Sequence, residues 1–167
     1  GDARYDFSTT NIQNGVLFKY NGSTAIYVCP TDRYTVLEGG KRYRTTRSFS
    51  MASDMPPAGK KYSTITDPKP AKALVFVEED DNLNNPANGI NDGNIGIRRY
   101  PELAWGDSPA KRHDNGAVVS MADGHAEYYK WKSQNKAFER GSIPGATRGG
   151  VVMSPEIMDL LKLQQGL

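Results

Sequence analysis

The segment from Asn115 to Trp131 constrains the fold more than any other part of this chain. Two runs, Ala117 to Ala122 and His125 to Trp131, are divided by Asp123-Gly124 and preceded by Asn115-Gly116. Short runs rich in β-branched and aromatic residues on either side of an Asp-Gly pair predict a β-hairpin closed by a type I′ turn, which needs positive φ at both central residues. A lone hairpin is not stable in water, so the rest of the chain must supply further strands and a layer to cover them.

The chain has the material for one such unit. At 167 residues it is about the size of a single domain, and residues 1–167 are read as one globular unit. Only 37% of residues are apolar and the mean hydropathy is −0.64, while 17 Gly and 10 Pro predict many turns and long connections. Nine Tyr, five Phe and two Trp supply the large burial units that a disordered chain lacks. The fold class expected is α+β, an antiparallel sheet with short helices and long loops.

Charge and hydropathy exclude several functions. A balance of 21 basic against 19 acidic residues leaves +2, too little for a field that binds a phosphate backbone, so no nucleic-acid partner is expected. The longest apolar runs, such as Ala73 to Val77, fall far short of the roughly 18 residues that read as a membrane span. Cys29 is the only cysteine, so no intrachain disulfide forms. With only His113 and His125 beside it, the chain falls short of a four-ligand structural zinc set.

Other elements read less sharply. Thr10 or Asn11 caps a short helix over Ile12, Val16, Leu17 and Tyr20 that ends near Asn21-Gly22, with Gly15 weakening it. Thr24 to Cys29 is expected to be a buried strand running into a Pro30-Thr31-Asp32 turn, and Arg42 to Met51 a second strand. Asp54 to Pro70 is a surface connection, and Ala73 to Val77 is the most hydrophobic strand. Glu78 to Asn94 is expected to be a solvated acidic loop. Ser154-Pro155-Glu156 starts a helix through Leu163 with Ile157, Leu160 and Leu161 on its apolar face.

Spacing separates the residues that could carry chemistry. His113 and Asp123 resemble a base and its orienting acid, yet they bracket a strand whose residues at about 3.3 Å each set them on the order of 20 Å apart. Gly106-Asp107-Ser108-Pro109 is an ordinary turn in preference to an esterase nucleophile motif, and Cys29 is a small buried residue with no base placed for it. Glu78, Glu79, Asp80, Asp81 and Asp92 offer hard oxygen ligands suited to calcium, without an EF-hand pattern. Lys41, Arg42, Arg44 and Arg47 read as edge-protecting cations.

His113 followed by nine residues and then Asp123-Gly124 fits the pattern H-x9-DG, and other segments fall in order beside it. These are Asn14-Gly15-Val16-Leu17-Phe18, Tyr27-Val28-Cys29-Pro30-Thr31-Asp32, Arg47-Ser48-Phe49-Ser50-Met51, Phe76-Val77-Glu78-Glu79, Ile90-Asn91-Asp92-Gly93 and Trp105-x-Asp107-x-Pro109-Ala110 before Arg112-His113. Over about residues 11 to 132 the chain resembles the H-x9-DG family of prepilin and pseudopilin-like proteins.

The resemblance implies a pilin-like head, normally preceded by a leader and a long apolar helix that anchors the precursor in the inner membrane. It implies a non-enzymatic structural subunit of a type II secretion or type IV pilus-like filament, exported to the cell envelope, with other pilin-like subunits and the assembly machinery as partners. Calcium near the sheet is a further implication. Two other readings stand beside it: an exported carbohydrate- or polymer-binding module using Trp105 and Trp131, and a hydrolase using His113 or Ser108.

Overall fold

The computed structural model describes residues 7–53, 61–80, 93–97, 104–134, 141–142 and 155–165. The chain is α+β. Its centre is a five-stranded sheet of β3 (Phe49–Ala52), β4 (Leu74–Glu78), β5 (Asn94–Ile95), β7 (Gly116–Met121) and β8 (Ala126–Lys130), in the order β5-β3-β4-β7-β8. All neighbours are antiparallel except β3 and β5. β1 (Thr35–Glu38) and β2 (Lys41–Arg44) form a separate hairpin, and β6 (Ala104–Trp105) pairs with β9 (Gly141–Ser142).

The two faces of the sheet differ. Period-two alternation sends Val77, Ala117, Val119, Met121 and Tyr129 to one side, and an irregularity between Leu74 and Phe76 brings Leu74 to the same side, where they meet Trp105, Trp131 and the helix α3 (Pro155–Gln164). Ile157, Leu160 and Leu163 of α3 are all buried there. Leu163 takes the place expected for Leu161, which packs only partly against the core. The capping residue Ser154 lies outside the described residues. Buried Asp159 anchors the helix by accepting the backbone N–H groups of Lys132 (2.8 Å) and Ser133 (2.7 Å) just past β8. The Lys162 ammonium sits 3.6 Å from the Tyr129 ring centroid.

The opposite face carries Phe49, Met51, Phe76, Glu78, Val118 and Tyr128, as their strand registers require. It is covered only in part, by two single-turn helices, α1 (Thr10–Gln13) and α2 (Phe18–Asn21). The one helix expected over this stretch is broken around Gly15, and Gly22 (φ 64°) ends it as expected. Two adjoining cavities of about 260 Å³ each lie beneath, sharing Leu17, Tyr27, Phe49 and Phe76 as walls.

Three local expectations are corrected. Thr24 to Cys29 is not a strand: Ala25–Tyr27 forms a 3₁₀ turn, whose first N–H, that of Ala25, is accepted locally by Ser23 Oγ while Asn21 Oδ1 accepts the Ser23 N–H just before it. Arg42 to Met51 is two strands, split where Ser48 leaves the ladder to bond the Tyr27 carbonyl (2.7 Å). Glu78 belongs to β4 and Glu79 to a bridge with Pro109, so the acidic stretch does not begin as a solvated loop; residues 81–92 lie outside the described ones. Lys41, Arg42 and Arg44 are exposed on β2, as edge protection requires.

The hairpin holds, with different turns. Met121 N–H donates to His125 O, leaving a three-residue connection in which only Gly124 (φ 94°) is left-handed. That is a type I turn followed by a bulge glycine. The left-handed pair demanded by type I′ occurs instead at Asp114 (φ 47°) and Asn115 (φ 58°), at the other end of β7. Asp and Asn tolerate this conformation better than other side chains.

At the hairpin tip His125 lies 2.5 Å from Asp123 Oδ1 through Nδ1 and 3.0 Å from Glu127 Oε1 through Nε2. Two carboxylates on the two ring nitrogens favour the imidazolium. The hydrogen bonds to Glu127 and then Asp123 raise the His125 pKa above its ordinary 6.5, and Asp123 is lowered below 3.8 by the backbone and side chain of His125. Because the folded-state His125 value is raised, its contribution to stability is fully present below 6.5 and is lost as pH rises through the raised value. His125 is expected to titrate above 6.5 by NMR, and Glu127→Gln to bring that midpoint down. Leu160→Ala should cost about 2–5 kcal/mol in denaturant unfolding, the range for truncating a buried leucine.

Candidate functional site

At the end of β4 the sheet's outer face turns from apolar to charged. Glu78 directly follows Leu74-Val75-Phe76-Val77 and is 0% exposed. Its burial is tolerated only because donors arrive from other segments. Oε2 accepts the Val118 N–H (3.1 Å) from β7, and Oε1 lies 3.0 Å from His113 Nε2 and 3.9 Å from Arg112 Nε. The left-handed turn at Asp114-Asn115 folds Arg112 and His113 back alongside β7 and so delivers both to Glu78. Asn115 holds that turn by donating its side-chain amide to the carbonyls of Trp131 (2.9 Å) and Ser133 (3.0 Å).

A fourth segment completes the cluster. Cys29 Sγ is 3.4 Å from His113 Nε2 and 3.0 Å from Thr31 Oγ1. Its backbone N–H donates to Ser48 Oγ (3.0 Å), and that hydroxyl donates to Asp32 Oδ2 (2.6 Å). Asp32, itself buried, also accepts the Tyr34 N–H, which fixes the turn after Pro30. The Arg112 guanidinium lies 3.6 Å from Asp32 and 3.9 Å from Asp80, and donates to the Glu79 carbonyl (2.8 Å). Burial holds the Asp80 carboxyl above its ordinary value against the opposing pull of Arg112, with Asp32 adding to the rise.

Cys29, Glu78 and His113 bring one sulfur, one oxygen and one nitrogen within 4.8 Å of one another. A nucleophile relay uses both imidazole nitrogens, one toward the nucleophile and one toward the orienting acid. Here thiol and carboxylate both meet Nε2, so the ring cannot pass a proton between them in that manner. What the arrangement can do is bind: three electron-pair donors converge on one point. The expectation that no base is placed for Cys29 is therefore corrected: His113 Nε2 lies 3.4 Å from its sulfur.

The other candidates separate. His113 bonds to Glu78 and Asp123 to His125, so the motif residues His113, Asp123 and Gly124 mark the two ends of one strand. Ser108 is 0% exposed, and its carbonyl accepts the Asp80 N–H (2.8 Å). Its Oγ has no hydrogen-bond partner among the described residues, so no base activates it. Trp105 and Trp131 are each 1% exposed, and Trp131 Nε1 donates to Ala110 O, so neither offers a face to a sugar ring.

Of the five acids suited to calcium, the described ones part company at the end of β4. Glu78 turns to the outer face, whereas Glu79 turns to the face shared with Ser50, whose hydroxyl donates to it at 2.5 Å. Asp81 and Asp92 lie outside the described residues. Sequence reasoning overlooked Asp32, Ser48 and Arg112; the signal available was a pair of acids closing the most apolar strand, which cannot be buried without a cation brought from elsewhere.

Arg112→Met keeps the volume of the side chain but strips Asp32, Glu78 and Asp80 of their shared cation. It should destabilise the fold by about 3 kcal/mol or more, as removing one partner of a buried ion cluster does, and urea unfolding would measure it. No protein-family model, curated protein or solved structure matches the chain.

Proposed function

We propose that this chain is the head of a pilin-like subunit, a non-enzymatic component of a type II secretion or type IV pilus-like filament. The observation that carries the reading is the incompletely covered apolar side of the sheet. Met51, Val118 and Tyr128 are exposed on the strands, and Val16, Leu17, Tyr20 and Ile26 are exposed on the segment laid across them. Apolar surface gathered on one side of a small domain is characteristic of a face that is covered on assembly. In a pilin-like subunit an apolar helix and neighbouring heads would cover it.

Further support comes from where the resembling segments lie. Cys29-Pro30-Thr31-Asp32, Val77-Glu78-Glu79 and Arg112-His113 are far apart in sequence and interlock in one buried polar cluster. Residues that depend on one another in this way are a fold signature.

The reading requires an apolar helix N-terminal to the head. The coding sequence upstream of residue 1 should therefore encode a prepilin leader cleavage site followed by roughly 20 apolar residues, enough to span a bilayer. An upstream sequence without such a stretch overturns the proposal.

A further inference from the structure

We propose that Cys29, Glu78 and His113 form a three-ligand site for a borderline-soft divalent cation of the zinc class, with a fourth position open to water. The site is separate from the apolar face and does not depend on the filament reading.

The donor set selects the metal. Thiolate, imidazole and a single carboxylate suit zinc and its neighbours, whereas calcium and magnesium demand oxygen ligands. A tetrahedral ion with bonds of about 2.0–2.3 Å keeps its ligand atoms roughly 3.3–3.7 Å apart. Sγ to Nε2 is 3.4 Å, Nε2 to Oε1 is 3.0 Å, and all three atoms lie within 4.8 Å of one another, so side-chain rotation alone is needed to close the set onto one centre.

The pairing of the same atoms without an ion is poor. One Nε2–H faces both a sulfur and a carboxylate oxygen and serves only one of them well. A cation among the three atoms engages all of them, and binding displaces the thiol proton and any proton on Nε2.

The surroundings are those of a ligand shell. Val118 N–H holds Glu78 Oε2 and so aims Oε1 at the centre, Thr31 Oγ1 lies against the sulfur, and Ser48 fixes the Cys29 backbone. Arg112 lies 3.9 Å from Glu78 Oε1, and Asp32 and Asp80 both stand against its charge. Cys29 and Glu78 are buried, whereas the His113 side chain is 31% exposed, which leaves an entry path and room for water on one side.

Cobalt(II) is the probe, added to the folded wild-type chain. One equivalent should bind with a thiolate-to-cobalt charge-transfer band, and the proton NMR spectrum should show hyperfine-shifted imidazole resonances from a single histidine. Cys29 is the only thiol, so the wild-type spectrum alone assigns the sulfur. Cys29→Ser should weaken binding by at least roughly 100-fold, the upper end of what losing even an outer partner costs. His125→Ala should leave it unchanged. The proposal is overturned if folded wild-type protein in excess cobalt shows no charge-transfer band, if no histidine resonance shifts, or if Cys29→Ser folds and binds as tightly as wild type.

Discussion

Glu78 is a carboxylate with no access to water, and most of the structure around it exists in a form that accommodates this. Removing an ion from water costs several kcal/mol even after relaxation, so donors must meet it with good geometry. They come from two places, the backbone of β7 and the reversed segment carrying Arg112 and His113, and Arg112 is held in turn by the acceptor Asp32. The strand pairing, the left-handed turn at Asp114-Asn115 and the path of the chain from Tyr27 to Asp32 are thus coupled. Each supplies a partner that the others cannot replace.

The two sides of the sheet solve different problems. On the side of α3 the aliphatic strands and two tryptophans close a dry core, in which the buried Asp159 is spent on the two N–H groups left over where β8 ends and the buried Glu79 meets Ser50. On the other side, burial is apolar toward Phe49 and Phe76 and ionic toward Glu78. Stability resides chiefly in the first side. The second holds the surfaces and donor atoms on which function is proposed.

Legibility followed the range of the interactions. The Asn115 to Trp131 hairpin, the strand at 73–77 and the C-terminal helix were readable because their signals are local: alternation, a turn pair, a proline at the first helical position. The helix ending at Gly22 was readable for the same reason, and so was its weakness at Gly15. Thr24 to Cys29 misled because β-branched composition was countered by Asn21 and Ser23, which bond the backbone of a turn. The cluster was hidden because its members lie 84 residues apart at the extreme, between Cys29 and His113. Glu78 and Glu79 looked like the start of a loop since no local pattern announces that a distant arginine and histidine will meet the first and Ser50 the second.

The adjacency of Glu78 and Glu79 on opposite faces gives β4 the character of a parity check. A strand presents alternate residues to alternate faces, so a slip of one position exchanges them all. Moved one way, Glu79 would take the place beside His113 and send Glu78 into the position of Val77, among Ala117 and Val119. Moved the other way, Val77 would stand against Arg112 and His113, taking the carboxylate from His113 and leaving Arg112 to Asp32 and Asp80. The first error strands a buried charge at a cost of about 3–5 kcal/mol, comparable to the whole margin of a small domain. The two acids thus make the correct alignment of the sheet distinguishable from its nearest misreadings, a task that the uniformly apolar run before them could not perform.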